Sequence, residues 1–181
     1  MSSMGIKFVP LPEPLQKRVT RVMRGVENGE IDPDYGGELF MKYFSQRIGI
    51  IANNSPHSEK LHQAAKDQRL ALIIKGTAID HVATFGNKIT ELIIEKKSKL
   101  SDPAMIFNHM DVFLDVILSK KDLLRAGIEK QVEVRKMAQL FKWMAPIIAS
   151  QDDRTQQILE EKCPPILAGI ISEIEEHYGL D

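Results

Sequence analysis

The chain has 181 residues, with 24 Lys or Arg against 25 Asp or Glu for a formal net charge of −1, 43% apolar and 27% charged residues, and one cysteine. These are the proportions of a globular domain long enough to bury a core without staples, and they exclude collagen-like, disulfide-scaffold and highly charged unstructured classes. Cys163 has no partner for an internal disulfide, no apolar run approaches the roughly 20 residues of a membrane helix, and Met1–Val9 lacks a signal peptide's apolar h-region and cleavage pattern. The expectation is a cytoplasmic or nucleoplasmic protein, not secreted and with no membrane partner.

Residues 1–14 read as an extended arm, because Pro10, Pro12 and Pro14 favour extended or polyproline geometry, and residues 15–181 read as a single all-helical domain. Leu15, Val19, Val22 and Val26 recur at helical spacing until Asn28-Gly29 ends the first helix. A second opens after Asp32-Pro33, turns Leu39, Phe40, Tyr43, Phe44, Ile48 and Ile51 inward, and breaks at Asn53-Asn54-Ser55-Pro56. From Ser58 to about Leu100 the pattern reads as one long helix or two joined at Gly76, and its continuous apolar run, Leu70 to Ile74, marks it as the central buried element. Ser101-Asp102-Pro103 predicts the start of a helix bearing Ile106, Met110, Phe113, Leu114 and Ile117. Another is predicted from about Lys121 to Ser150, lined by Val134, Met137, Phe141 and Met144, with Pro146 as a kink or an end. Asp152 and Asp153 start a short helix that Cys163-Pro164-Pro165 interrupts, before Ile166, Leu167, Ile170, Ile171, Ile174 and Tyr178 form the most regular apolar stripe in the chain. Strand-type alternation is absent. The expected fold is therefore all-α, a compact bundle of about six to eight helices with Leu72, Ile73, Phe113, Phe141 and Ile170 in its core.

The near-zero net charge conceals a segregation. Residues 1–24 carry five basic and one acidic side chain, residues 120–142 seven and three, and residues 152–181 two and eight. Lys17, Arg18, Arg21 and Arg24 fall largely opposite the apolar stripe of the first helix, and Arg135, Lys136 and Lys142 opposite that of the helix from Lys121. Such faces suit phosphate contacts and make nucleic acid a candidate partner, without a zinc-finger, RNP-like or helix-turn-helix signature to accompany them. The acidic C-terminal helix complements the basic region 120–142, within one molecule or between copies.

Other chemistries fail on spacing. Glu59-Lys60-Leu61-His62 has the Glu-x-x-His spacing of a carboxylate-bridged metal site, but the sequence holds no second such motif. The acids between Asn28 and Glu38 do not combine with a sixth-position glycine and a twelfth-position glutamate, as an EF-hand requires. Glu160 and Glu161 disfavour a Cys163 thiolate, and Gly36-Gly37-Glu38 lacks the lysine, the spacing and the preceding strand of a phosphate loop. No catalytic, cofactor-binding or metal-binding residue is assigned, and neither enzymatic activity nor a cofactor is expected. The apolar arm residues Phe8, Val9 and Leu11 need a groove, on their own domain or on a second copy. The expected function is that of a non-catalytic interaction, adaptor or assembly protein that self-associates as a homo-oligomer. The alternative is a nucleic-acid-binding accessory or regulatory factor acting through residues 17–24 and 135–142.

Overall fold

The computed structural model describes residues 9–180. Val9 and Leu11 lead into α1 (Glu13–Glu27), where Pro14 sits in the first turn, a place whose backbone N–H has no helical acceptor. The Asp32 carboxylate accepts the N–H of Asp34 and starts α2 (Pro33–Asn53). Both helices bury their expected apolar residues in one core, Leu15, Val19, Val22 and Val26 with Leu39, Phe40, Tyr43, Phe44, Ile48 and Ile51. A third helix, α3 (Ser58–Ala65), begins at the expected serine.

It is only 8 residues long, and beyond it the chain turns to strand. β1 (Arg69–Ile74), β2 (Asp80–Phe85), β3 (Leu92–Lys96), β4 (Ala104–Phe107) and β5 (Val132–Arg135) form one sheet in the order β3-β2-β1-β4-β5. β1 runs parallel to β4, and the other neighbours are antiparallel. The central helical element expected over Ser58–Leu100, as one helix or two joined at Gly76, is thus one short helix and three strands. The helix expected from Ser101-Asp102-Pro103 is β4 followed by α4 (Met110–Ile117), and the one expected over 121–150 is α5 (Leu123–Ile128), β5 and α6 (Met137–Ala149). The all-α bundle is corrected to a mixed α/β fold. The reason lies in β1 and β4, which are apolar on both faces. Leu70, Leu72, Ile74, Met105 and Phe107 join the helix-covered core, while Ala71, Ala104 and Ile106 are buried with Val82 on the opposite face. A strand buried on both sides loses its alternation and reads like a buried helix.

The last helix, α7 (Asp153–Tyr178), carries Pro164 and Pro165 inside it, which corrects the expected interruption at Cys163-Pro164-Pro165. The prolines remove the N–H groups that the Glu160 and Glu161 carbonyls would accept. Both glutamates are exposed, so water can serve those carbonyls instead. Leu159, Cys163, Leu167, Ile171 and Ile174 keep the packed face continuous against α2 and α1. Of the expected core, Leu72 and Phe113 are buried, whereas Ile73, Phe141 and Ile170 are half-buried, Ile73 because it lies on the face away from the helices. Among the described residues, no helix is long and apolar enough to cross a membrane.

Candidate functional site

The basic face of α1 turns out to be a clasp on α7. Arg18 donates from Nε and Nη2 to the Glu175 carboxylate at 2.7–3.2 Å and from Nη2 to Ser172 Oγ at 2.9 Å, and Arg21 Nη2 donates to Glu175 Oε2 at 2.6 Å. The hydrogen-bonded Arg18 guanidinium holds the buried Glu175 below the usual carboxylate range, against the opposing effect of burial. Arg24 pairs with Glu27 at 2.8 Å and with Asp111, and Lys17 stands 3.7 Å from Glu13. The acidic C-terminal helix is thus matched by α1, where the sequence pointed to region 120–142. Val9 and Leu11 are buried in the protein's own core, so the arm finds its groove intramolecularly; Phe8 lies outside the described residues.

The second basic group does not lie on one helix. Arg135 ends β5, Lys136 takes a left-handed backbone (φ 57°) ahead of α6, and Lys142 is exposed on α6. Arg135 helps to hold a strap. Strand register puts Arg69, Asp80 and Arg135 on the same sheet face as Ala71, Val82 and Ala104, away from the helices. The loop 97–103 bonds to all three. Arg69 forks onto Asp102 at 2.7 and 3.1 Å, and Ser98 donates from N and Oγ to Asp80 at 3.0 and 2.6 Å. Arg135 donates to the carbonyls of Asp102 and Lys99 at 2.9 and 2.8 Å. The loop therefore crosses the face from β2 to β5, and the small side chains of Ala71, Val82 and Ala104 leave room for its backbone. The Arg69 hydrogen bond depresses the Asp102 pKa against burial. The sequence marked Asp102 as a helix start; its partners, 33 residues away on either side, left no local signal.

On the helix side of the sheet, His81 Nε2 meets Asp34 Oδ1 at 2.9 Å, and Lys96 Nζ reaches the other Asp34 oxygen at 3.1 Å. Burial raises the Asp34 pKa, but the bonds to His81 and Lys96 outweigh it and leave a net depression. His62, once a metal candidate, is engaged at both nitrogens: Ile89 N–H donates to Nδ1 at 3.0 Å, so Nε2 carries the proton it shares with Asn53 Oδ1 at 2.7 Å. Burial pushes the Cys163 thiol up against the effects of Arg47 and Tyr43, and burial raises Tyr43 to about 12, so both stay protonated near neutrality. Among the described residues, no group of three or more His, Cys, Asp or Glu could hold a metal ion.

Among the described residues the exposed large apolar side chains are Ile128 at the end of α5, Met137 at the start of α6, and Ile93 and Leu100 on and just after β3, a sheet edge. Ile93 is 69% and Leu100 83% exposed, the first on the strand and the second on the strap that follows it. Lys97 N–H donates to Asp80 O at 2.7 Å and Gly86 N–H to Glu91 O at 2.6 Å. The Glu91 carbonyl, the backbone groups of Ile93 and Glu95 and the Lys97 N–H therefore face β2, and the backbone groups of Leu92, Ile94 and Lys96 face outward. Compared with protein-family models, curated proteins and solved structures, the chain matches none, and the functional reading rests on this geometry.

Proposed function

We propose that the chain is a non-catalytic interaction or assembly protein that associates with itself, working in the cytoplasm or nucleoplasm. One observation carries the reading: β3 is an edge of the sheet among the described residues and leaves the large apolar side chain of Ile93 exposed, with Leu100 exposed on the strap that follows it. Edges of this kind are normally blunted by proline, bulges, cover or charged side chains, and of these β3 carries only charges, Glu95 and Lys96. β3 has neither proline nor bulge, and its register with β2 is continuous.

Nucleic-acid binding ranks second. Arg18, Arg21 and Arg24 already bind Glu175, Glu27 and Asp111, and a phosphate would have to displace those carboxylates. Light scattering coupled to size exclusion, over a range of concentrations, tests the first reading. A defined oligomer supports it, and a strict monomer at tens of micromolar removes it. Binding of a 20-nucleotide RNA at low salt with an intact monomer would favour the second reading.

A further inference from the structure

We infer that two copies of this chain pair through β3, edge to edge and antiparallel about a two-fold axis at Ile94, joining two five-stranded sheets into one. The inference rests on the self-association reading and adds its surface and register.

Three features of β3 point to this occupant. The outward N–H and C=O groups belong to Leu92, Ile94 and Lys96, so a second antiparallel strand can bond only to even-numbered residues. A two-fold axis further requires the same residues on both sides, which leaves registers differing by steps of two. With the axis at Ile94, Leu92 and the partner's Lys96 exchange both N–H···O bonds, Ile94 does the same with its own copy, and Ile93 lies beside the partner's Glu95. Just outside the strand, Glu91 and the partner's Lys97, whose left-handed backbone (φ 68°) turns the chain into the strap, then come to the same end of the ribbon, at both ends.

The neighbouring registers fail on charge. Moving the axis to Glu95 sets that carboxylate against its own copy. Moving it to Ile93 sets Glu91 against the partner's Glu95. Like charges directly opposite destabilise a strand pair, and opposite charges stabilise it, so the segment Glu91-Leu92-Ile93-Ile94-Glu95-Lys96-Lys97 is self-complementary in one of the three registers. Pairing there also covers Ile93, which the monomer exposes, and extends the half-buried layer of Leu92 and Ile94.

Two experiments on the full-length chain test this. In the first, Glu91→Lys and Lys97→Glu are made separately. Each creates like-charge pairs at both ends and should weaken self-association about tenfold. Mixing the two variants pairs opposite charges again and should restore dimers that contain one copy of each. Circular dichroism of each variant, and the rescue itself, guard against loss of folding.

The second experiment fixes the register. Facing residues that do not exchange backbone bonds have Cα atoms about 4.5 Å apart, within disulfide range. Ile93→Cys mixed with Glu95→Cys should therefore give an intermolecular disulfide under mild oxidation, and neither variant alone should; the native Cys163 is buried. A disulfide from Ile93→Cys alone would overturn the register. A wild-type dimer that ignores both charge reversals and gives no 93–95 disulfide would overturn the interface while self-association stands. A wild-type monomer would remove both.

Discussion

A methyl group at position 37 would sit 2.5 Å from the Cγ of His81. Gly37 lets α2 lie directly on the His81 ring of β2, and Gly36 lets it approach Ile79, so both glycines of the pair have a packing role. Alanine improves a helix interior by about 1 kcal/mol over glycine, so the sign of its effect reports the contact. Gly37→Ala should destabilise by about 1–3 kcal/mol despite that gain. Gly169→Ala in α7, where the added Cβ meets nothing within 4 Å, should stabilise by about 0.5–1 kcal/mol. Urea unfolding of the two variants separates the cases, and equal effects would discount the His81 contact. Phe113 is buried between Phe40 and Phe107, at ring distances of 5.7 and 5.3 Å, whereas Phe141 is half-buried. Phe113→Ala should cost about 3–5 kcal/mol by the same assay, and Phe141→Ala distinctly less.

Elements far apart in sequence are fastened by carboxylates with lowered pKa values. Glu175 ties α7 to α1, and Asp102 ties the strap to β1. A carboxyl group whose pKa is lower folded than unfolded adds stability that is present above its unfolded value and lost as pH falls through its folded value. Stability of the wild type should therefore decline below about pH 4, and the decline should be shallower in Glu175→Gln and Asp102→Asn. At neutral pH each substitution should cost about 1–3 kcal/mol, because the buried carboxylate bonds to partly exposed arginines. Chemical denaturation at several pH values measures both effects. His62 acts higher on the scale. Burial, followed by the nearby Lys88, lowers its pKa, so its contribution is present above about pH 6.5 and is lost as pH falls through its lower folded value. Protonating Nδ1 would break its bond from Ile89 N–H. Proton resonances of the His62 ring should titrate below those of an unstructured histidine.

At the scale of the whole molecule, charge is spent largely on internal fastening. Two basic side chains of the first 24 residues, Arg18 and Arg21, meet the acidic end of the chain at Glu175, and Arg135 serves the strap. A phosphate ligand on α1 would compete with these bonds, so RNA or DNA binding, measured as affinity against salt, should show a slope little changed by Arg18→Gln with Arg21→Gln. A slope flattened by one unit or more would return α1 to the list of phosphate contacts, since each phosphate contact on a single strand contributes about 0.7.

The sequence alone determined what is local. The boundary at Asn28-Gly29, the start at Asp32-Pro33 and the apolar faces of α1, α2 and α7 were legible because each depends on residues within a turn or two of one another. The continuity of α7 through Pro164 and Pro165 was not, because it depends on which side of the helix faces water. β1 and β4 escaped notice because periodicity shows only when one face is solvated, and these strands are covered on one side by helices and on the other by a strap. The β3 edge was equally hidden. Nothing in Leu92–Lys96 marks an edge until the order β3-β2-β1-β4-β5 leaves it, among the described residues, with β2 as its one strand neighbour. Only the tertiary structure could make that decision, since the partners that cover a strand or neutralise an arginine lie as far as 157 residues away, as Arg18 and Glu175 do.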